Sequence, residues 1–284
     1  TVNVTITSAP DATFAYASPF CEGSANPLPS FGAGASAGIF SSTAGLVFVS
    51  TATGEINLTT STPGTYTVTN DIAASGGCAA ASASLSITIN PKATASANTD
   101  GVICSGSTYT LAGARGGAAT SSTWSSSGTG SFDNATLLAA VYTPSAADIT
   151  AGAVTLTIIT DDPDAAGPCA AASDAMVLTI SPAATVSADA DAAICSGSSY
   201  TLAGTRGGSA TSSLWSSSGT GTFNDATLLA AVYTPSAADI TAGSVTLTIT
   251  ASDPDGAGPC TSAADAMVLT INPIATASAG ADAS

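Results

Sequence analysis

Six cysteines are the residues of this chain whose type and spacing most clearly predict chemistry. They fall two to a segment, as an early and a late cysteine: Cys21 and Cys78, Cys104 and Cys169, and Cys195 and Cys260. An even number at a repeated spacing is typical of disulfide bonds formed in an oxidising compartment. Zinc is the competing interpretation. It is disfavoured because the chain has no His and no closely spaced pair of cysteines.

The pairing of these cysteines stays open at this level. A bond inside each segment, such as Cys104 to Cys169, is favoured. In a standard sandwich, however, Cys104 would lie just before the second strand and Cys169 between the last two, and these places can lie at opposite ends of a domain. The alternative joins Cys104 to Cys260 of the following domain, which would give a covalently linked rod.

Aspartates form a second candidate site, for Ca²⁺. AspAspProAsp at 161–164 recurs as AspProAsp at 253–255, before the late cysteine, and further aspartates recur near the start of each segment. Carboxylate oxygens are ligands that Ca²⁺ prefers. The candidate ligands are Asp100, Asp162, Asp164, Asp189, Asp191, Asp253 and Asp255. The simpler interpretation is favoured, because Asp-Pro-Asp is also a good turn sequence and no complete calcium-loop motif is present.

Catalytic chemistry has little support in this sequence. Serines are abundant, but there is no His to act as a base, and the three cations, Lys92, Arg115 and Arg206, are isolated. Arg115 and Arg206 follow predicted strands, and we expect each to contact a nearby Asp or backbone carbonyls. The chain is therefore not expected to be an enzyme, and no cofactor is implied other than the candidate Ca²⁺.

Charge limits the classes of partner. Three basic residues stand against nineteen acidic ones, which gives a net charge of −16. Nucleic acid is an improbable partner because phosphate binding depends on Lys and Arg. No apolar run approaches the length of a membrane span, so direct insertion of this segment into a membrane is not expected.

Internal repetition sets the domain organisation. Residues 91–181 and 182–272 align without a gap and are identical at 69 positions. The sequence predicts a divergent repeat at 10–90 and two close copies at 91–181 and 182–272, called here the first, second and third repeats. Tandem copying increases length or valency, whereas an active site needs only one copy.

Both ends of the sequence resemble parts of further repeats. Residues 1–9 resemble the last strand of an upstream repeat, and residues 273–284 resemble the opening of the second and third repeats. The sequence is therefore interpreted as a window onto a longer array. A second interpretation makes the first strand a donor strand that completes the sheet of a neighbouring subunit.

Alternating residues predict strands throughout and an all-β fold. In the third repeat, strands are expected near 184–188, 199–204, 213–217, 228–234, 244–251 and 264–272. Six or seven short strands in such a length suit an immunoglobulin-like β-sandwich, repeated in an extended array. Helical periodicity is absent, although residues 145–149 could form one turn. The expected core residues of the second and third repeats are Trp124, Tyr142, Trp215 and Tyr233.

Several motifs resemble known repeats. IleCysSerGlySerSerTyrThrLeuAlaGly at 194–204, TyrThrProSerAlaAlaAspIle at 233–240 and the late cysteine resemble immunoglobulin-like or PKD-like repeats. Such repeats occur in very large cell-surface proteins of Bacteroidota, including gliding-motility adhesins and other type IX secretion cargo. PheCysGluGlySerAlaAsnPro at 20–27 is similar to a second repeat type of those proteins. The resemblance covers nearly the whole chain, and its motifs carry no catalytic residues.

These observations favour a stalk or filament segment of an extracellular adhesin on the cell surface. Its partners would be the neighbouring repeats and, in a fibre, identical chains. One alternative is an array of modules that bind glycan or protein. It requires an exposed patch shared by the repeats, and exposure of Trp124 and Trp215 would favour it. Another alternative is a sheath or surface layer built from laterally packed chains.

Overall fold

The computed structural model describes residues 8–256 and 258–275. These residues form immunoglobulin-like β-sandwich domains in tandem. The expected strand at the start of the chain falls on residues 1–7, outside the described residues, as does most of the repeat opening expected at 273–284.

The first repeat is built from β1 to β6, and its longest strands are its last two. Its strands are β1 (Phe20–Cys21), β2 (Ile39–Ser42), β3 (Phe48–Ser50), β4 (Glu55–Ile56), β5 (Gly64–Ile72) and β6 (Ala81–Asn90). They form a four-stranded sheet in the order β1-β6-β5-β2 and a two-stranded sheet of β3 and β4.

The second repeat contains β7 to β15 and one short helix. Its strands are β7 (Ala93–Ser96), β8 (Gly101–Cys104), β9 (Tyr109–Thr110), β10 (Ala114–Gly117), β11 (Ser122–Ser126), β12 (Ser131–Phe132), β13 (Val141–Thr143), β14 (Ala153–Thr160) and β15 (Ser173–Ser181), with helix α1 (Ala146–Ala151). The large sheet has the order β11-β14-β15-β8. The opposite layer consists of the pair β10-β7 and the three strands β12-β13-β9.

The third repeat has the same topology as the second. Its strands are β16 (Ala184–Ser187), β17 (Ala192–Cys195), β18 (Tyr200–Thr201), β19 (Thr205–Gly208), β20 (Ser213–Ser217), β21 (Thr222–Phe223), β22 (Val232–Thr234), β23 (Ser244–Ala251) and β24 (Ala264–Asn272), with helix α2 (Ala237–Ala242). Its large sheet has the order β17-β24-β23-β20.

Each repeat has its own apolar core between its two layers. In the second repeat Trp124 on β11 lies opposite Ile158 on β14, and both side chains face the interior with Tyr142 of β13. In the third repeat Trp215 and Tyr233 take the same places. The first repeat has no Trp and fills its core around Phe40 with edge-on aromatic contacts. The boundaries 10–90, 91–181 and 182–272 themselves stay predictions.

The predicted strands agree best with the structure where the strands are long. The expected strands at 213–217, 244–251 and 264–272 coincide with β20, β23 and β24. The expected strand at 228–234 begins only at Val232. The four-residue strand β17 was not expected, because AlaAlaIleCys at 192–195 has no alternation of polar and apolar side chains.

The short helices follow a local capping pattern. Helix α1 begins after Ser145, whose hydroxyl accepts a hydrogen bond from the backbone N–H of Asp148, while the Asp148 side chain accepts one from the N–H of Ser145. Gly152 ends the helix with φ of 78°, a left-handed conformation that glycine adopts without strain. The single turn expected at 145–149 is thus a six-residue helix.

Candidate functional site: the disulfide-bonded junctions between repeats

The early cysteine is positioned by a short parallel strand. β8 pairs in parallel with β15, the last strand of the second repeat, and this register places Cys104 opposite Ser181. Because parallel strands end at the same edge of a sheet, Cys104 lies where the second repeat passes into the third. The late cysteine of the third repeat, Cys260, lies in the loop between β23 and β24.

These positions bring Cys104 and Cys260 together across the junction. The two residues form a disulfide with a Cα–Cα distance of 5.0 Å, a separation that an unstrained backbone allows. Both cysteines are buried, and the Cys260 Sγ lies 3.7 Å from the carbonyl oxygen of Ser181. The bond therefore ties the end of one sandwich to a loop at the start of the next.

The first junction repeats this arrangement. Cys21, opposite Asn90 in the register of β1 and β6, is bonded to Cys169 with a Cα–Cα distance of 5.0 Å. The favoured prediction of a bond inside each segment is wrong for these cysteines, and the alternative between successive domains is correct. The physical reason is the short parallel strand, which carries the early cysteine to the far end of its own repeat.

Four of the six cysteines predicted to form disulfides do so in this structure. Cys195, the early cysteine of the third repeat, is an exposed thiol. Cys78 is not part of either disulfide, and its Sγ lies 3.8 Å from the carbonyl oxygen of Ser8. Each bonded early cysteine is joined to the late-cysteine loop of the following repeat. The described residues contain no such loop after the third repeat, so none is available to Cys195.

Polar contacts accompany each disulfide. At the second junction the Ser105 N–H donates to the carbonyl of Ser181 at 2.7 Å, and the Ser105 hydroxyl accepts from the N–H of Ala183 at 2.8 Å. The Cys260 N–H donates to an Asp255 carboxylate oxygen at 3.1 Å, which fixes the bend of the loop. The junction is thus a covalent bond supported by hydrogen bonds on both sides.

The first junction has one side-chain contact of its own. The Asn90 amide donates to Oδ2 of Asp164 at 3.0 Å, and the N–H of Cys169 donates to the same oxygen at 3.1 Å. Asn90 and these backbone contacts lower the pKa of Asp164 below its ordinary value. The residue equivalent to Asn90 at the second junction is Ser181, whose shorter side chain has no amide to donate.

The candidate calcium ligands mainly bind backbone N–H groups. Asp164 and Asp255 cap the loops before the late cysteines, and Asp253 accepts from the N–H of Asp255 at 3.2 Å. Asp100 and Asp191 accept from strand N–H groups of β15 and β24, each at 2.8 Å.

Two further candidates complete this set. Asp162 accepts from the N–H of Asp164 at 3.2 Å, and Asp189 adopts a left-handed backbone with φ of 72°. Within residues 8–256 and 258–275, no three acidic or Cys side chains come together in a way that could hold a metal ion. Calcium binding stays a prediction.

The aromatic candidates lie inside the repeats. Trp124 and Trp215 are each 3% exposed, and Tyr142 and Tyr233 are fully buried. Arg115 lies on the surface and donates to the Ser122 hydroxyl at 3.3 Å instead of to a carboxylate. The tryptophans therefore contribute to the core and leave little surface for a ligand.

A buried carboxylate in each close copy was missed by sequence reasoning. Asp148 is 3% exposed. Its carboxylate accepts from the N–H groups of Thr129, Gly130 and Ser145 at 3.0, 2.8 and 2.9 Å and from the Tyr142 hydroxyl at 2.8 Å. The signal that could have found it is Ser-X-X-Asp directly before a predicted strand, which is a capping box.

Asp239 forms the same network in the third repeat, with Tyr233 as its hydroxyl donor at 2.8 Å. Burial alone would raise the pKa of this carboxyl group. The hydrogen bonds from backbone N–H groups and from Tyr233 outweigh it and lower the pKa to about 2. The network links the helix start, the turn at Gly219–Gly221 and the core, and it carries no reactive group beside a cavity.

Comparison with solved structures finds similarity to segments of cadherin-23 and of a clustered Pcdh protein. Mouse cadherin-23 EC22-24 matches over 95% of this chain and 97% of its own, with 11% identity and a TM-score of 0.33. Human CDH23 EC21-23 matches over 80% and 81%, with 14% identity and a TM-score of 0.39. Mouse clustered PcdhgC3 EC1-3 matches over 84% and 89%, with 11% identity and a TM-score of 0.35. No protein-family model and no curated protein matches the sequence.

The described part of the chain contains no helix that is long and apolar enough to span a bilayer. The two disulfides fit an oxidising, extracellular setting.

Proposed function

We propose that this chain is a spacer segment of a large extracellular repeat protein, a stalk or filament that extends from the cell surface. Its β-sandwich repeats are held in series and pass tension from one to the next. The observation that carries this proposal is the placement of both disulfides, each of which joins the end of one repeat to a loop of the following one. A bond in that position strengthens the junction instead of a single core.

The buried tryptophans support a spacer over a binding array. A repeated binding module needs an exposed patch on each copy, and the repeated aromatic residues best suited to it are Trp124 and Trp215. Both lie in the core. The resemblance to adhesins of Bacteroidota points to the same role, with the neighbouring repeats and identical chains of a fibre as partners.

The two disulfides are interlaced, which gives them a mechanical consequence. Along the chain the order is Cys21, Cys104, Cys169 and Cys260, with the first bonded to the third and the second to the fourth. Tension between the termini therefore enters the second repeat at Cys169 and leaves it at Cys104. About 65 residues then separate Cys21 from Cys260 along the shortest covalent route, instead of about 239 residues in the reduced chain.

Pulling the full chain by its termini in an atomic force microscope tests this role. At about 3.4 Å per extended residue, a reductant should increase the total contour length by roughly 600 Å. An equal contour length with and without reductant would show that the disulfides bear no load, and the spacer proposal would fail.

A matched variant separates the interlaced pairing from a pairing inside each repeat. In the double variant Cys104→Ser, Cys260→Ser, the route through Cys21 and Cys169 remains. The shortest covalent route from residue 21 to residue 260 then has about 91 residues instead of about 65. The contour length of the oxidised chain should therefore increase by only about 26 residues, or roughly 90 Å. Pairing inside each repeat would lose two bonds in this variant and lengthen the oxidised chain by roughly 440 Å.

A further inference from the structure

The end of the third repeat has the same design as the end of the second. Cys104 is 8% exposed and is bonded to Cys260 of the third repeat. The equivalent Cys195 on β17 is exposed, although β17 holds the same parallel register against β24 as β8 holds against β15.

The hydrogen bonds that shape the second junction are already present around Cys195. The Ser196 N–H donates to the carbonyl of Asn272 at 2.8 Å, as Ser105 does to Ser181. The Ser196 hydroxyl accepts from the N–H of Ile274 at 3.2 Å, as the Ser105 hydroxyl accepts from Ala183 at 2.8 Å. The chain therefore leaves the third repeat along the path by which it enters that repeat from the second.

A third group completes this surface. Asn272 ends β24 at the position that Asn90 occupies in the first repeat, and its side chain is exposed. At the first junction Asn90 donates to Asp164, five residues before the bonded Cys169. The end of the third repeat thus presents both an exposed thiol and the amide that recognises an Asp-X-X-X-X-Cys loop.

We propose that Cys195 is a cross-linking site for a further β-sandwich repeat that follows Asn272 and carries an Asp-X-X-X-X-Cys loop. Cys21 and Cys104 are the bonded counterparts of Cys195 in this chain, and each is joined to such a loop. The Asn272 amide binds the Asp of the loop, and the Cys195 sulfur bonds to its Cys. This inference rests on the proposed spacer role and adds a specific bond to it.

Formation of the bond is an oxidation. The Cys195 thiol and the loop thiol together lose two electrons and two protons, and an S–S bond forms between them. A disulfide oxidant such as oxidised glutathione accepts the electrons and protons and leaves as two thiols.

A lengthened chain tests the site, with a further copy of residues 91–181, which carries an Asp-X-X-X-X-Cys loop, placed directly after Asn272, so that the peptide containing Cys195 occurs only once. It is oxidised with a glutathione buffer, alkylated, digested without reduction and analysed by mass spectrometry. The expected result is a cross-linked peptide that joins Cys195 to the late cysteine of the added copy, with loss of alkylation at Cys195. The control replaces that late cysteine by Ser and should leave Cys195 alkylated as in the original chain.

The Cys104–Cys260 peptide in the same digest reports that the junctions have folded and oxidised. Alkylated Cys195 beside an intact Cys104–Cys260 bond would overturn the proposal.

A second map, of the protein taken with blocked thiols from the cells that make it, does not depend on folding of an added copy. Cys195 joined to an Asp-X-X-X-X-Cys peptide supports the site, and an alkylated Cys195 or a different partner overturns it. The two peptide maps detect only the bond at Cys195, whereas the pulling experiment measures whether the Cys21–Cys169 and Cys104–Cys260 bonds carry force. A negative map with a positive pulling result would therefore reject the site and leave the spacer role in place.

Discussion

The interior of a repeat and the junction between repeats are stabilised by different interactions. In the interior of the third repeat, Trp215 and Tyr233 are buried among aliphatic side chains, and Asp239 accepts several hydrogen bonds. At the junction, one disulfide and the hydrogen bond from the N–H of Ala183 to the Ser105 hydroxyl join the second repeat to the third. Changes in the interior should therefore lower the stability of one repeat, whereas changes at the junction should alter how repeats are held together.

The largest expected effect is that of Trp215→Ala. The indole fills its site closely, since a Cβ added at Gly204 would lie 2.7 Å from its Cζ2 atom. The substitution should lower the free energy of unfolding of the third repeat by about 3–5 kcal/mol, because it removes apolar contacts and leaves a cavity. Urea unfolding monitored by circular dichroism measures this loss.

The neighbouring residue on the same strand supplies the control for this change. Leu214 is 54% exposed, so Leu214→Ala should change the free energy of unfolding by about 0.5 kcal/mol or less. Equal losses in the two variants would mean that the third repeat is not organised around a core at Trp215.

A smaller effect is expected for Asp239→Asn. The Asn amide would place N–H donors against donors from Gly221, Ser236 and Tyr233. We expect a loss of about 1–3 kcal/mol at neutral pH, the range for leaving buried polar groups unsatisfied. Thermal unfolding of the variant against the parent chain measures it.

The same carboxylate makes stability depend on pH with a defined sign. Its pKa falls from 3.8 to about 2 on folding, so the unfolded state binds more protons between these values. Its stabilisation is present above pH 3.8 and is lost as the pH falls toward 2. The difference in stability between parent and Asp239→Asn should therefore shrink over this range. The control Asp189→Asn changes an exposed left-handed residue that Asn tolerates, and it should leave the free energy of unfolding at neutral pH nearly unchanged.

The long strands and the buried tryptophan of the third repeat could be predicted from the sequence, and the disulfide pairing could not. The strands at 213–217, 244–251 and 264–272 and the burial of Trp215 follow from alternation, which is a local property of each strand. The disulfide pairing does not follow from it, because it depends on where the four residues of β17 or β8 pair in the finished sheet. That pairing is a contact between distant parts of the chain, and neither short strand carries an alternating pattern.

The Asp239 network lies between these two cases. Its helix cap is encoded locally by Ser236 and Asp239, three residues apart. Its other half, the turn at Gly219–Gly221 and the hydroxyl of Tyr233, comes from chain positions that only the fold brings near. The sequence could therefore have located the helix start but not the burial of the carboxylate.

The smallest expected effect is at the junction, for Asn90→Ser, which gives the first junction the residue found at the second. It removes the Asn90–Asp164 hydrogen bond and leaves the Cys21–Cys169 disulfide in place. The free energy of unfolding should change by about 1 kcal/mol or less, since a single hydrogen bond at a partly solvated site contributes little.

The pKa of Asp164 should rise toward its ordinary value in this variant, because the Asn90 amide is the main group that lowers it. An NMR titration of the Asp164 carboxyl carbon in the parent chain and in Asn90→Ser measures this shift. A loss of stability as large as that of Asp239→Asn would contradict the distinction between interior and junction. It would mean that the first and second repeats unfold as one cooperative unit whose stability depends on the contact between them.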